Sequence, residues 1–121
     1  MWRILTIAFL IAHGAVHLAV WLSPINPDAP FNPSHSWLVG DQRVVAILFA
    51  VVAGALLIVG GEGLWMAEPW WRTLALAGLA ASFVLMVLFF RTWFIPIEIM
   101  NAALIIALLW LDWPSESLVG A

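Results

Sequence analysis

Four apolar helices packed as an all-α membrane bundle are the fold this sequence predicts. Three observations carry that prediction. First, 65% of the 121 residues are hydrophobic and 9% are charged, whereas a soluble domain is roughly half apolar and about a quarter charged. Second, the apolar residues gather into four stretches, Ile4–Leu22, Val44–Gly60, Thr73–Phe90 and Phe94–Leu111. Each is near the length a helix needs to cross ~30 Å of hydrocarbon. Third, the nine tryptophans (Trp2, Trp21, Trp37, Trp65, Trp70, Trp71, Trp93, Trp110 and Trp113) lie near the ends of those stretches or in loops. Interfacial aromatic belts form at that level. A soluble chain this short could not bury so much apolar surface. Residues 1–121 are therefore read as one integral membrane domain whose first partner is the lipid bilayer.

The first stretch opens on Arg3 and an apolar run, as a signal peptide does. It is longer than a typical h-region and lacks a convincing small-x-small cleavage site before Pro24, so it is read as a mature helix. The first loop, Ser23 to Asp41, is proline-rich: Pro24, Pro27, Pro30 and Pro33 recur every third residue. Polyproline II has three residues per turn, so these prolines would line one edge of a stiff strut. Asn32-Pro33-Ser34 is not a glycosylation acceptor, because proline fills its middle position. Asp41 is the expected N-cap of the second helix.

The second helix is expected to end at Gly60-Gly61-Glu62-Gly63, since glycine runs mark helix ends and turns. The third connection, Arg91-Thr92-Trp93, is tight enough to make the third and fourth helices antiparallel neighbours. Pro96 falls in the first turn of the fourth helix, where a missing N–H does little harm. Ala46, Ala50 and Gly54 on the second helix, and Gly78 and Ser82 on the third, repeat every four residues. Such small-xxx-small faces let helix backbones approach closely, within the bundle or between subunits. Four spans put both termini on one side. The arginines are tied across the membrane, with Arg3 and Arg72 on one side and Arg43 and Arg91 on the other. Only the free amino terminus tips the positive-inside rule toward cytoplasmic termini.

Composition also excludes chemistry. The chain has no cysteine, so it has no disulfide, thiolate metal site, c-type haem attachment or thiol nucleophile. It has no lysine, so no basic patch exists for nucleic acid. No nucleophile–base signature, phosphate loop or dinucleotide motif is present, so catalysis is not supported.

The polar residues inside the spans carry the functional reading. Polar side chains at membrane depth are costly and face a partner or a cavity. His13 and His17 lie four residues apart in the first helix. At 1.5 Å per residue they sit roughly 13 Å and 8 Å inside its end at Leu22. On the fourth helix, Glu98 and Asn101 lie roughly 6 Å and 10 Å inside its start at the same membrane face. The histidines are about 40° apart around their helix, and Glu98 and Asn101 about 60° apart around theirs. The cheapest arrangement turns the two polar stripes toward each other, with Arg91 at the nearby mouth. The candidate ligand- or cofactor-binding residues are thus His13, His17, Glu98, Asn101 and Arg91.

Several chemistries fit this set. Two histidines at i and i+4 can hold one metal ion, and Glu98 would complete a two-histidine, one-carboxylate site for a transition metal. His35, in the first loop, is a further candidate ligand. Haem is possible only with one of these histidines and an axial partner elsewhere, because the pair shares one side of one helix. A Glu–His chain could also relay protons, as in transporters. Finally, the histidines could simply hydrogen-bond Glu98, Asn101 or backbone carbonyls and tie the first helix to the fourth. Arg91 could pair with Glu98 or snorkel to the interface.

The stretch His13-Gly14-Ala15-Val16-His17-Leu18-Ala19-Val20-Trp21, followed by the proline-rich loop and Ser36-Trp37-Leu38, resembles a group of small uncharacterised four-helix bacterial integral membrane proteins. These carry an HGxxHL motif in the first helix. The resemblance implies a four-span bundle and an importance for His13 and His17; it implies no reaction. The expected function is a small polytopic protein whose polar pocket, in one leaflet, binds a small ligand, cofactor or metal. The alternatives are an accessory subunit of a larger membrane complex and an oligomeric small-solute or proton-linked transporter.

Overall fold

Apolar runs of this length, with few side chains able to compete for backbone hydrogen bonds, fold as long helices. A computed structural model describes residues 1–24, 26, 28 and 34–121. It contains α1 (Trp2–Leu22), α2 (Arg43–Trp65), α3 (Trp71–Leu88), α4 (Ile95–Leu109) and a short α5 (Glu116–Val119). A 3₁₀ turn, Thr92–Phe94, leads into α4 with Pro96 in the first turn. Among the described residues, four helices are long and apolar enough to cross a membrane, the fourth counted from Thr92 to Leu109. The chain is an all-α four-helix bundle. Pro27, Pro30, Asn32 and Pro33 lie outside the described residues, and with them the proposed strut.

Each helix packs chiefly on its sequence neighbour, α1 on α2, α2 on α3 and α3 on α4. Both termini lie at one end. Trp2 meets Trp113 edge to face with ring centroids 5.7 Å apart, and Val119 of α5 is buried with Ile7 and Trp71.

The core has two apolar layers. Ile7, Leu10, Leu57, Leu64, Trp71 and Leu79 form one toward the termini. Trp21, Ala46, Ala50, Leu85, Phe89 and Phe94 form the other, toward the first loop. His13, His17, Ser82 and Asn101 fall between them in the order of every helix that contributes.

Small residues set how closely the helices approach. A Cβ on Gly14 would lie 2.7 Å from the Gly54 carbonyl oxygen, and one on Gly54 would lie 3.0 Å from the Gly14 carbonyl oxygen. The α1 and α2 backbones therefore touch at that level. The glycines of Gly60-Gly61-Glu62-Gly63 do not end α2, which runs on to Trp65. They are contact positions: a Cβ on Gly60 would meet the Ala75 backbone nitrogen at 3.2 Å, and one on Gly63 would strike the Trp70 ring. The chain turns instead at Met66–Trp70, where Ala67 has a positive φ of 60°.

Asp41 does not cap α2. It sits in β2 (Gly40–Asp41), paired antiparallel with β1 (His35–Ser36). Gly40 supplies the positive φ of 75° that this tight hairpin requires. The residue before α2 is Gln42, with no side-chain cap. The hairpin does a different job. Ser36 Oγ donates to the Leu88 carbonyl, and Trp37 Nε1 donates to the Val87 carbonyl at 2.6 Å. Both are among the last carbonyls of α3, which lack intrahelical partners.

The arginines act similarly. Arg3 donates to the carbonyls of Leu64 and Trp65 at the end of α2. Arg72 donates to Leu108 at the end of α4 and to Pro114 beyond it, and pairs with Asp112 at 3.3 Å. A cation at a helix C-terminus meets both the orphan carbonyls and the negative end of the dipole.

Gly14→Ala is expected to destabilise the bundle by ~1–3 kcal/mol, the usual range for overpacking, because the added methyl meets backbone. Reversible unfolding in mixed micelles checks this.

Candidate functional site

The site is a polar layer built by three helices. From α1 come His13 and His17, from α3 Ser82, and from α4 Asn101. Their exposures are 9%, 1%, 0% and 0%, so lipid and water are both kept from them. The i,i+4 spacing places one imidazole above the other with centroids 4.8 Å apart. It also lets His17 reach the backbone of His13.

The contacts form a single chain. His13 Nε2 lies 3.1 Å from Asn101 Oδ1. Asn101 Nδ2 lies 2.8 Å from Ser82 Oγ. Ser82 Oγ lies 2.7 Å from His17 Nε2. His17 Nδ1 lies 2.8 Å from the His13 carbonyl oxygen.

Chemistry then assigns the protons. A carbonyl only accepts, so His17 carries its proton on Nδ1 and, when neutral, accepts on Nε2. Ser82 Oγ–H must therefore donate to His17. The same oxygen accepts from Asn101 Nδ2, which leaves Asn101 Oδ1 to accept from His13 Nε2–H. With both imidazoles neutral, every link is satisfied and the two rings hold opposite tautomers. The chain begins on the His13 ring and ends on the His13 backbone. Hydrogen bonds running in one direction polarise one another and strengthen the set.

The arrangement differs from two facing stripes on α1 and α4. Helix α3 enters between them through Ser82, which the sequence marks only as a small packing residue. The signal was available: Ser82 lies eight residues, roughly 12 Å, inside the end of the third stretch at Phe90, between the depths of Asn101 and His13.

Glu98 takes no part in this network. It is half-buried one helical turn before Asn101, and both carboxylate oxygens are shielded and without a hydrogen-bond partner. Arg91 is not paired with it; its guanidinium donates to the Phe90 carbonyl at 3.2 Å in an exposed setting. His35 does not fold over the site either. Its Nδ1 lies 2.9 Å from Asp41 Oδ1 in the exposed hairpin.

The proposed metal set does not converge. Among the described residues, no three His, Cys, Asp or Glu side chains come together in a metal-holding group. Both nitrogens of His17 are used inside the protein, so ligation by the pair would require breaking the chain. One imidazole nitrogen, His13 Nδ1, is left over from the network. Its ring is flanked by Phe9, stacked within 13° of parallel at 5.3 Å. The unused polar groups at this level are thus a lone pair on His13 Nδ1, the second N–H of Asn101 Nδ2 and the Glu98 carboxyl.

No family model matches the chain, and no match is found among the curated proteins or the solved structures.

Asn101→Ala removes the partners of both His13 and Ser82, and is expected to cost ~1–3 kcal/mol, the penalty for stranding buried polar groups. A double-mutant cycle between His13 and Asn101 should give a coupling between ~0.6 and ~1.7 kcal/mol, the range of membrane interhelical bonds. Glu98→Gln, which breaks no bond, should lose no stability in the same unfolding assay.

Proposed function

We propose that this chain is a small multi-pass protein of the cell membrane, with both termini cytoplasmic, that binds a small ligand at the seam of α1, α3 and α4. The reading places it with small bacterial membrane proteins bearing the HGxxHL motif. One observation carries it: beside a closed chain of hydrogen bonds, the Glu98 carboxyl is shielded and has no partner at hydrogen-bond distance. A buried polar group without a hydrogen bond is costly, and natural proteins keep few of them. Of the groups left over, the His13 Nδ1 lone pair and the Glu98 carboxylate are acceptors and outweigh the one spare donor, the second N–H of Asn101 Nδ2. The matching ligand therefore presents hydrogen-bond donors or positive charge: an amine, an amide, a hydroxyl compound or a metal cation.

A second reading is favoured by the closure of the network itself. Since the links among His13, Asn101, Ser82 and His17 close on themselves, the layer suits an accessory subunit whose role is to present a rigid helical surface to a larger membrane complex. Glu98 would then meet a donor from the partner.

Native mass spectrometry and metal analysis of the detergent-purified protein separate the two. Ligand binding requires a stoichiometric mass or metal on the wild type that is lost in Glu98→Gln. A chain that purifies alone and empty contradicts it. Recovery only within a larger assembly, lost in Glu98→Gln, supports the subunit.

A further inference from the structure

The geometry points to a second site, independent of Glu98: a cleft between α1 and α4 that holds one acyl chain of a bilayer phospholipid. Helices α1 and α4 do not pack closely on one another, and the gap between them encloses about 240 Å³. Helix α3 supplies its floor through Trp71 and Leu79, and Leu5, Phe9, Leu104 and Leu108 line its walls. Drug-sized ligands occupy pockets of roughly 300–1,000 Å³, so this one suits a segment of hydrocarbon chain.

Polarity selects the occupant. The wall's one hydroxyl, Thr6 Oγ, is already bonded to the Trp2 carbonyl at 2.9 Å. The Trp71 indole N–H is directed to the Ala121 carbonyl. A polar ligand would lose its water here and gain almost nothing in exchange. Depth selects it too. The cleft begins at the Trp2–Trp113 pair, the level of an interfacial aromatic belt. It runs seven residues along α1, roughly 10 Å, into the hydrocarbon before Phe9 closes it. Leu5 is 53% exposed, so the cleft is open on its lipid side and a chain can enter from the bilayer without passing through water. At the mouth, Arg3 and Arg72 are both committed to helix-end carbonyls. The cleft lining carries no charged side chain to meet a headgroup, so the tail is what it recognises.

The test is photolabelling in vesicles with a phospholipid carrying a diazirine on one acyl chain, prepared with either a phosphocholine or a phosphoglycerol headgroup. Adducts are mapped by peptide mass spectrometry. Labelling of Leu5, Phe9, Leu104 and Leu108 is expected to exceed that of Ile99 and Ile106, on the exposed side of α4, by several-fold, with both headgroups alike. Leu104→Trp and, separately, the rim substitution Leu5→Trp should fill the cleft. Each should reduce adducts at the remaining cleft positions to the outer level, while labelling of Ile99 and Ile106 stays unchanged. Equal labelling inside and outside the cleft in the wild type would mean annular lipid contact only and would overturn the proposal. So would cleft labelling that survives both fillings, a strong headgroup preference, or a partner protein found in the cleft instead of lipid.

Discussion

Everything in this bundle is arranged around one constraint: a polar group in hydrocarbon must find its partner inside the protein. Water cannot rescue an unmatched N–H or C=O at that depth. Two imidazoles, a hydroxyl and a carboxamide would each be a liability alone. Linked in one direction, from the His13 ring through Asn101, Ser82 and His17 back to the His13 carbonyl, they satisfy one another. The linkage has a geometric consequence. It fixes α1, α3 and α4 at one depth and one rotation, because a helix turned by one residue would carry its polar member to lipid.

The close approach of α1 and α2 belongs to the same arrangement. Gly14 lies next to His13, and its contact with Gly54 holds α1 against α2, the one long helix that contributes no hydrogen bond to the layer among the described residues. Apolar packing above and below, on Trp21 and Phe89 at one side and Leu10 and Leu79 at the other, closes the layer off. Lipid tails are as apolar as leucine, so association of these helices depends on tight packing and interhelical hydrogen bonds rather than on a hydrophobic driving force. The glycine contact and the polar layer supply one of each at the same level. Rigidity there leaves the looser seam, between α1 and α4, as the place where something else can bind.

Much of this was legible in the residues. The four spans follow from the length of the apolar runs, and the polar stripes of α1 and α4 follow from depth and helical angle. The part that was not legible has physical reasons. Glycine is ambiguous: at Gly60, Gly61 and Gly63 it serves close packing within a helix, not the turn its backbone freedom suggests, and only tertiary contact decides between them. Asp41 has the chemistry of a cap, but a hairpin with two-residue strands took it for His35. Ser82 was hidden because serine in a membrane helix is as often a small packing residue as a polar partner. Glu98 was expected at the histidines because it is the strongest acceptor nearby. Asn101, which both donates and accepts, is the better link between an imidazole and a hydroxyl, and it takes the central place.

The most direct test of this closed network is ¹⁵N NMR of the two imidazoles in lipid bilayers. A one-directional chain requires His13 to carry its proton on Nε2 and His17 on Nδ1, two opposite tautomers within one helical turn. That result would establish the direction of every hydrogen bond in the layer. Two identical tautomers, or two rings that are both doubly protonated at neutral pH, would contradict it.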